Sequence, residues 1–329
     1  MRKKPDKSAF LNGSMVIDST IALPAFAKIN WSLRVIGKRP DGYHEIDTVF
    51  QTISLHDTIT LTPTNDNQIT LVCDDRSLPP DATNLVWRAA AAMQTRFRPN
   101  QGAYIRLEKR IPAQAGLGGG SSDAAVTLIG LSYLWETGAS TKELLGLAAR
   151  LGADVPFFLY GGTACGVGTG TEIIPTMNAE TKLLLVLKPN ALVSTTRAYE
   201  SLNAPSLTTL ASDTILSGSL RERDRHNVPE DLTNDFEAIV FQLEPEIERA
   251  KVALLKSGAE QALLAGSGSA VFGVFDNKET QERAIQAIYL ETGWRVFPSI
   301  TVGRDQYRRA MGPCGAMLAP VSDGMNAGA

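Results

Sequence analysis

The sequence predicts an α+β fold in two domains. Three observations support this fold class: segments with a two-residue hydrophobic period, segments with helical spacing that do not alternate strictly with them, and a length of 329 residues, enough for about two domains of roughly 150 residues. The apolar strand predicted over 182–189 opens the second half of the chain, so we expect an N-terminal domain over 21–180 and a C-terminal domain over 181–309. Residues 1–20 are expected to form a loose extension, and residues 310–329 a disordered tail.

The first predicted element is a strand followed by a tight turn. Residues 26–35 alternate between an apolar face and a polar face that carries Lys28 and Asn30. Residues 39–42 (RPDG) combine Pro and Gly in the manner of a turn, and a second strand is expected over 45–55. This part of the chain is therefore predicted to be a β-hairpin.

The remaining elements follow from the same two periods. A helix is predicted over 85–97, with Asn84 as its N-cap. Further strands are predicted over 103–111, 182–189 and 294–302. Residues 161–170 predict a strand and a turn, and residues 262–275 two short strands around a glycine turn. Further helices are predicted over 122–135, 141–151, 235–256 and 280–290.

The composition excludes several classes of protein. The net charge of −3 gives no electrostatic basis for binding nucleic acid or an anionic membrane. Three distant cysteines and three scattered histidines predict neither a disulfide framework nor a structural zinc site. No apolar run approaches the ~18 residues of a membrane helix, and no signal peptide is evident. We therefore expect a cytoplasmic protein; the sequence indicates neither its oligomeric state nor any metal ligand.

The segment 112–125 (PAQAGLGGGSSDAA) lies between a predicted strand and a predicted helix. Glycines let main-chain N–H groups approach an anion, and a helix N-terminus adds unsatisfied donors, so the segment predicts a phosphate-binding loop. It lacks the Gly-Lys-Ser/Thr of a Walker A motif and the setting of a Rossmann fingerprint. The alternative interpretation is a mobile turn with Ser122 as the N-cap of the helix.

Three segments resemble the GHMP kinases and occur in that family's order: the loop at 112–125, residues 25–30 (AFAKIN) and residues 264–272 (LAGSGSAVF). Residues 40–44 (PDGYH) and 152–158 (GADVPFF) are similar to the branch that phosphorylates a diphosphocytidyl-methylerythritol in isoprenoid precursor biosynthesis. The resemblance implies a two-domain kinase whose active site lies in the interdomain cleft. It also implies ATP as cosubstrate, Mg²⁺, and transfer of a phosphoryl group to the 2-hydroxyl of this small molecule.

Two other functions stay open. One is another GHMP kinase, of the homoserine or mevalonate type, although those substrates have no base for the Tyr43-His44 pair to hold. The other is a catalytically inactive nucleotide-binding regulator of the same fold, although Lys28, Asp154 and the loop are all present.

The resemblance also implies roles for individual residues. Lys28 and Asp154 match the family's catalytic pair, with Asp154 as general base. Without the resemblance, Lys28 would be an ordinary lysine on a solvated strand face, and Asp154 a helix N-cap. Asn30, Tyr43 and His44 are expected to bind substrate, the latter two at the cytosine, and Tyr199 is a weaker candidate for a second stacking face. The expected ATP contacts are Pro112, Ala113, Gln114, Ala115, Gly116, Leu117, Gly118, Gly119, Gly120, Ser121 and Ser122, with Lys109 as a further candidate.

Overall fold

The computed structural model describes residues 20–98, 100–202, 204–207 and 232–321. The strands of its larger sheet are β1 (Ile21–Lys38), β2 (His44–Thr64), β3 (Ile69–Cys73), β4 (Gly102–Glu108), β5 (Thr163–Gly168), β6 (Glu172–Pro175) and β8 (Thr233–Asn234). The strand order is β3-β4-β2-β1-β8, and β5 pairs with a different stretch of β2 and with β6. This is possible because β2 is long enough to pair with β4 at one end and β5 at the other.

Helices pack on one face of the larger sheet and close the first core. They are α1 (Leu85–Phe97), α2 (Gly119–Leu134), α3 (Thr141–Leu151) and a 3₁₀ helix (Val155–Leu159). The central one, α2, is buried along most of its length. A helix that is apolar on all sides belongs inside a protein, which is where α2 lies, between the sheet and its neighbours.

The smaller sheet is antiparallel and carries the second core. Its strands are β7 (Leu183–Lys188), β9 (Gln261–Leu264), β10 (Val271–Phe275) and β11 (Arg295–Ile300). They pair in the order β11-β7-β10-β9. The helices of this half are α4 (Thr195–Ser201), Glu237–Leu243, Pro245–Lys256 and Lys278–Ile288.

A third buried cluster joins the two sheets. Trp31 of β1 meets Phe272 of β10 edge-on, with ring centroids 5.8 Å apart. Ile29 from the larger sheet and Val186 from the smaller one belong to the same cluster. In addition, β8 pairs in parallel with β1 although it lies in the C-terminal half of the chain. The two halves are therefore interlocked, and β1 lies at their junction.

Most predicted elements are present, and several have different bounds. Helix α1 is confirmed, including its cap: Asn84 Oδ1 accepts the Val86 N–H at 3.0 Å. Helix α2 begins at Gly119 instead of residue 122, which places Ser122 inside the helix and contradicts its interpretation as an N-cap. The helical stretch predicted over 235–256 divides at Glu244, because Pro245 cannot continue the preceding helix.

The prediction of a disordered tail is wrong for residues 310–321. A helix (Arg304–Ala310) and a 3₁₀ helix (Gly312–Met317) return to the N-terminal core, where Met311 and Cys314 are buried. Tyr307 Oη donates a hydrogen bond of 2.7 Å to the Phe158 carbonyl. The prediction failed because this region is rich in Gly and Ala, and its few apolar side chains form no recognisable hydrophobic period. Residues 1–19 and 322–329 lie outside the described ranges, and within those ranges no helix has the length and apolarity needed to cross a membrane.

Candidate active site

Strand β1 places Lys28 and Asn30 side by side in the interior. Both are buried, with exposed fractions of 3% and 1%. Lys28 Nζ donates to Asn30 Oδ1 at 2.9 Å, and Asn30 Nδ2 donates to Thr48 Oγ1 at 2.7 Å. The Thr48 hydroxyl in turn donates to the Ser32 carbonyl at 2.6 Å. The polar face of this strand is therefore enclosed and hydrogen-bonded, which excludes the solvated-lysine interpretation.

Asp154 lies opposite this face, at the start of the 3₁₀ helix Val155–Leu159. Asp154 occupies the N-cap position of that helix, but among the described residues its side chain makes no capping hydrogen bond, so the carboxylate does not have the expected capping role. Instead, Asp154 Oδ2 lies 3.4 Å from Lys28 Nζ, and about a third of its side chain (33%) is exposed. The structure thus pairs a buried ammonium with a carboxylate that a ligand can reach.

The glycine-rich loop packs directly on these elements. The Lys28 N–H donates to the Leu117 carbonyl at 2.9 Å. Gly116 and Gly118 have φ of +76° and +69°, and a Cβ at Gly116 would lie 1.9 Å from the Ala265 carbonyl oxygen. A Cβ at Gly118 would lie 3.0 Å from Lys28 Cγ. Both positions therefore require glycine, because a side chain would separate the loop from β1 or from the segment 264–268.

Two of the cavities that the described residues form at this loop share part of its wall. The larger, of about 520 Å³, is lined by every residue from Pro112 to Ser121 together with Lys109. The smaller, of about 320 Å³, is lined by Lys28, Asn30 and Asp154 among others. The residues common to both are Gly116, Gly118, Ser121 and Thr195.

A buried ionic cluster supports the base of the loop. Lys109 Nζ forms ion pairs with Asp57 and, at 2.8 Å, with Asp123 of α2. Asp57 Oδ1 also accepts the N–H groups of Arg110 and Ile111, at 2.5 and 2.8 Å. Burial raises the pKa of Asp123 to about 7, against the opposing effect of the Lys109 charge. The predicted ATP contact Lys109 thus lines the cavity while its ammonium group is already paired with two carboxyl groups.

The residues predicted to hold the cytosine are brought together only in part. His44 and Tyr199 have ring centroids 4.9 Å apart, and Tyr199 meets the buried Phe236 edge-on at 4.7 Å. Burial, with a smaller effect of Asp154, raises the pKa of Tyr199 to about 12. Tyr43, at the turn, is 67% exposed and lies outside the walls of both cavities as the described residues form them.

Comparison with known proteins identifies the family. Models described as the GHMP kinases N terminal domain and GHMP kinases C terminal match residues 84–162 and 216–292. The 4-diphosphocytidyl-2-C-methyl-D-erythritol kinase of Lachnoclostridium phytofermentans is 42% identical over 264 residues, which cover 80% of this chain and 91% of that protein. Its counterpart in Solibacter usitatus is 41% identical over 290 residues, 87% of this chain and 90% of that protein. The chain belongs to the 4-diphosphocytidyl-2-C-methyl-D-erythritol kinase family.

Solved structures agree with this family. A crystal structure of 4-(cytidine 5'-diphospho)-2C-methyl-D-erythritol kinase is 33% identical, with a TM-score of 0.70, and the match covers 86% of this chain and 100% of that one. Homoserine kinase from Cytophaga hutchinsonii is 19% identical with a TM-score of 0.64, over 91% and 99% of the two chains, and shares the fold. The chain is thus an ATP-dependent small-molecule kinase, as the sequence predicted.

The sequence did not predict several residues that line the site. Thr195, Ser267 and Phe236 line the smaller cavity. Thr195 Oγ1 and Ser267 Oγ are hydrogen-bonded at 3.1 Å across it. Ser267 could have been predicted, since it lies in the glycine segment 264–272 that resembles the family, whereas no motif near Phe236 indicated a role in the site. Conversely, the predicted ATP contact Ser122 is fully buried in α2, away from the cavity walls that the described residues form.

Proposed function

We propose that the protein transfers the γ-phosphoryl group of ATP to the 2-hydroxyl of 4-diphosphocytidyl-2-C-methyl-D-erythritol. The observation that carries this proposal is the Lys28–Asp154 pair, 3.4 Å apart, in a cavity that shares its wall with the glycine loop. A hydroxyl held beside Asp154 would face the end of a triphosphate held along the loop. In-line phosphoryl transfer requires the attacking oxygen and the γ-phosphoryl group to be brought together in this way, which supports the proposal.

Asp154 and Lys28 divide the chemical work. Asp154 accepts the proton of the 2-hydroxyl. At the same time the oxygen of that hydroxyl bonds to the γ-phosphorus, and the bond between this phosphorus and the β–γ bridging oxygen breaks. Lys28, held by Asn30, keeps the carboxylate in place and offers positive charge to the developing alkoxide. The products are the 2-phosphate and ADP.

The larger cavity is the proposed ATP site, with the N–H groups of loop 112–121 around the phosphates. Mg²⁺ bound with ATP would neutralise phosphate charge. Two groups in this cavity fit such an ion: the Ser121 hydroxyl and the Asp123 carboxylate, whose Oδ1 has no hydrogen-bond partner among the residues described. Oxygen donors of this kind are the ligands that Mg²⁺ prefers.

The cytidine end of the substrate is assigned to Tyr43, His44 and Tyr199. Tyr199 lines the smaller cavity and its ring contacts that of His44, which supports this assignment. The exposed ring of Tyr43 is available to stack on a base from the turn. The proposal retains two domains, 21–180 and 181–309, with the site in the cleft between them, and a cytoplasmic location, where ATP is available.

A coupled assay of ADP release tests the proposal. Purified protein is offered 4-diphosphocytidyl-2-C-methyl-D-erythritol, mevalonate and homoserine in parallel, each with ATP and Mg²⁺. Turnover with the first alone is expected. Turnover with either other alcohol would assign a different GHMP substrate, and turnover with none, together with measurable ATP binding, would indicate the regulator.

A further inference from the structure

The segment 234–237 (NDFE) makes contacts that the proposed mechanism leaves unused. Asn234 lies in β8, beside Leu33 of β1, and is 8% exposed. The same short segment ties itself to β1 through two further bonds: the Asp235 N–H donates to the Leu33 carbonyl at 3.0 Å, and Asp235 Oδ2 accepts the Val35 N–H at 2.7 Å. Asn234 is thus fixed to the strand that carries Lys28.

The Asn234 side chain reaches from this strand to the second glycine segment, residues 264–268. Its Nδ2 donates to the Leu264 carbonyl at 2.9 Å and to the Gly266 carbonyl at 2.7 Å, while its Oδ1 accepts the Phe236 N–H at 3.0 Å. These contacts require two donors and an acceptor on one short group. A carboxamide supplies both, whereas a carboxylate or a hydroxyl does not.

Gly266 is the point at which this contact reaches the site. It has φ of +55° and lines the smaller cavity. A Cβ there would lie 2.9 Å from the Gly116 carbonyl oxygen and 3.3 Å from Lys28 Nζ. The Gly266 backbone therefore lies close to both the phosphate loop and the catalytic ammonium, and a shift of Gly266 toward them would displace one of them.

We infer that Asn234 is a positioning residue for phosphoryl transfer, which acts through the backbone of Gly266. It sets the distance between β1, which holds Lys28, and the two glycine segments that line the proposed site. Glu237 supports the same segment, since its Oε1 accepts the Leu264 N–H at 3.0 Å. This inference rests on the proposed kinase activity.

Asn234→Asp is the primary test, because it keeps the size and one acceptor but replaces the two donors with an oxygen that faces two carbonyls. A misplacement of about 1 Å costs on the order of 10²-fold in rate, so kcat is expected to fall by about that factor. KM for the cytidine substrate should change by less than about threefold, because the lost positioning acts on the transition state. Asn277→Asp is the matched control: this N-cap of the helix Lys278–Ile288 accepts the Thr280 N–H at 2.9 Å, and Asp caps as well as Asn.

Asn234→Ser provides a second variant in case Asn234→Asp does not fold. A serine hydroxyl can still accept the N–H two residues ahead, which preserves the local turn, but it cannot reach both carbonyls of the glycine segment. The same loss of kcat is expected, with melting curves recorded for each variant. A folded variant whose kcat stays within about threefold of wild type would overturn the inference.

A double-mutant cycle separates positioning from general destabilisation. Gly266→Ala pushes a methyl group between Gly116 and Lys28, so it disturbs the element through which Asn234 acts. The Asn234→Asp/Gly266→Ala double variant should therefore lose much less rate than the product of the two single losses. Fully multiplicative losses would overturn the inference. A wild-type protein without kinase activity would instead refute the proposed function.

Discussion

The two ends of the proposed active site are built differently. At the phosphoryl-transfer end, Lys28 and Asn30 are buried in a chain of short hydrogen bonds, and the glycine loop contacts Lys28 through its backbone. At the cytidine end, Tyr43 stands on a turn with 67% of its surface exposed, and His44 is held by a ring contact. The two ends differ because bond transfer needs fixed distances, whereas stacking on a flat base tolerates a mobile partner.

The turn that carries Tyr43 is nevertheless fixed at its base. Arg39 forms an ion pair of 2.8 Å with the buried Glu45 and one of 3.1 Å with Asp41, and these carboxylates raise its pKa despite partial desolvation. The Gly42 N–H donates to the Arg39 carbonyl at 3.0 Å, which closes the turn. The cytidine end therefore combines an anchored backbone with an exposed aromatic ring.

The largest effect is expected from Asp154→Asn, which removes the proton acceptor at the phosphoryl-transfer end. General-base catalysis is worth ~10²–10⁴ in rate, and kcat should fall toward the lower end because the transition state is loose. Stability should fall by on the order of 1–3 kcal/mol, because the variant leaves the buried Lys28 ammonium without its carboxylate, while Asp154 itself is partly exposed and makes no capping hydrogen bond. Measurements of kcat and of the melting temperature check both points. If the folded variant keeps more than about a third of wild-type kcat, the base lies elsewhere.

The next effect concerns Gly118→Ala, which tests how closely the loop must approach Lys28. The added methyl would lie 3.0 Å from Lys28 Cγ, in a left-handed conformation that costs an L-residue ~1–2 kcal/mol. We expect kcat/KM for ATP to fall by about 10²-fold through displacement of the loop. Gly146→Ala is the control, because its Cβ would meet only Arg150 Nη1, at 3.9 Å, outside the site. Equal activity of the two variants would show that close approach is unimportant.

At the cytidine end, Tyr43→Ala should weaken the binding of the cytidine substrate. Loss of one stacking contact is worth ~1–3 kcal/mol, or roughly 5- to 150-fold in KM for the cytidine substrate. KM for ATP should hardly change, because Tyr43 lies away from the glycine loop. Tyr43→Phe retains the ring and is expected to behave like wild type. A shift in KM for ATP alone would reverse the assignment of the two subsites.

The smallest effect expected is a pH dependence of KM for the cytidine substrate, caused by protonation of His44. Burial, with a contribution from Lys38, lowers its pKa below the usual 6.5. The folded protein thus binds fewer protons than the unfolded chain just below pH 6.5, so this group stabilises the fold fully above that value and less as pH falls. KM for the cytidine substrate should be constant from about pH 7 to 8 and rise by at most about tenfold per pH unit below the lowered pKa. His44→Asn should abolish that rise; a rise that persists in this variant belongs to another group.

Local patterns predicted a large part of the fold and some of the site. Asn84 and the period of residues 85–97 located α1 correctly, because capping and periodicity are properties of a short segment. The alternation of β1 was equally clear, but it could not show that the polar face is buried, since the residues that cover it come from distant elements. The same limit applies to Asn234, whose partners Leu264 and Gly266 lie some thirty positions ahead in the chain.

The return of residues 302–319 to the first core has a consequence for biosynthesis. The Ala319 N–H donates to the Leu159 carbonyl at 2.8 Å, and Tyr307 lies against Gly161 and Phe158. A nascent chain therefore exposes the apolar surface around Leu159 until roughly 160 further residues have been made, on the order of 8–30 s at a translation rate of 5–20 residues/s. Exposed apolar surface of this kind is prone to aggregation, so we expect a holding chaperone to bind it during that interval. The face beside the 3₁₀ helix Val155–Leu159 is thus covered only after residue 319 has been made.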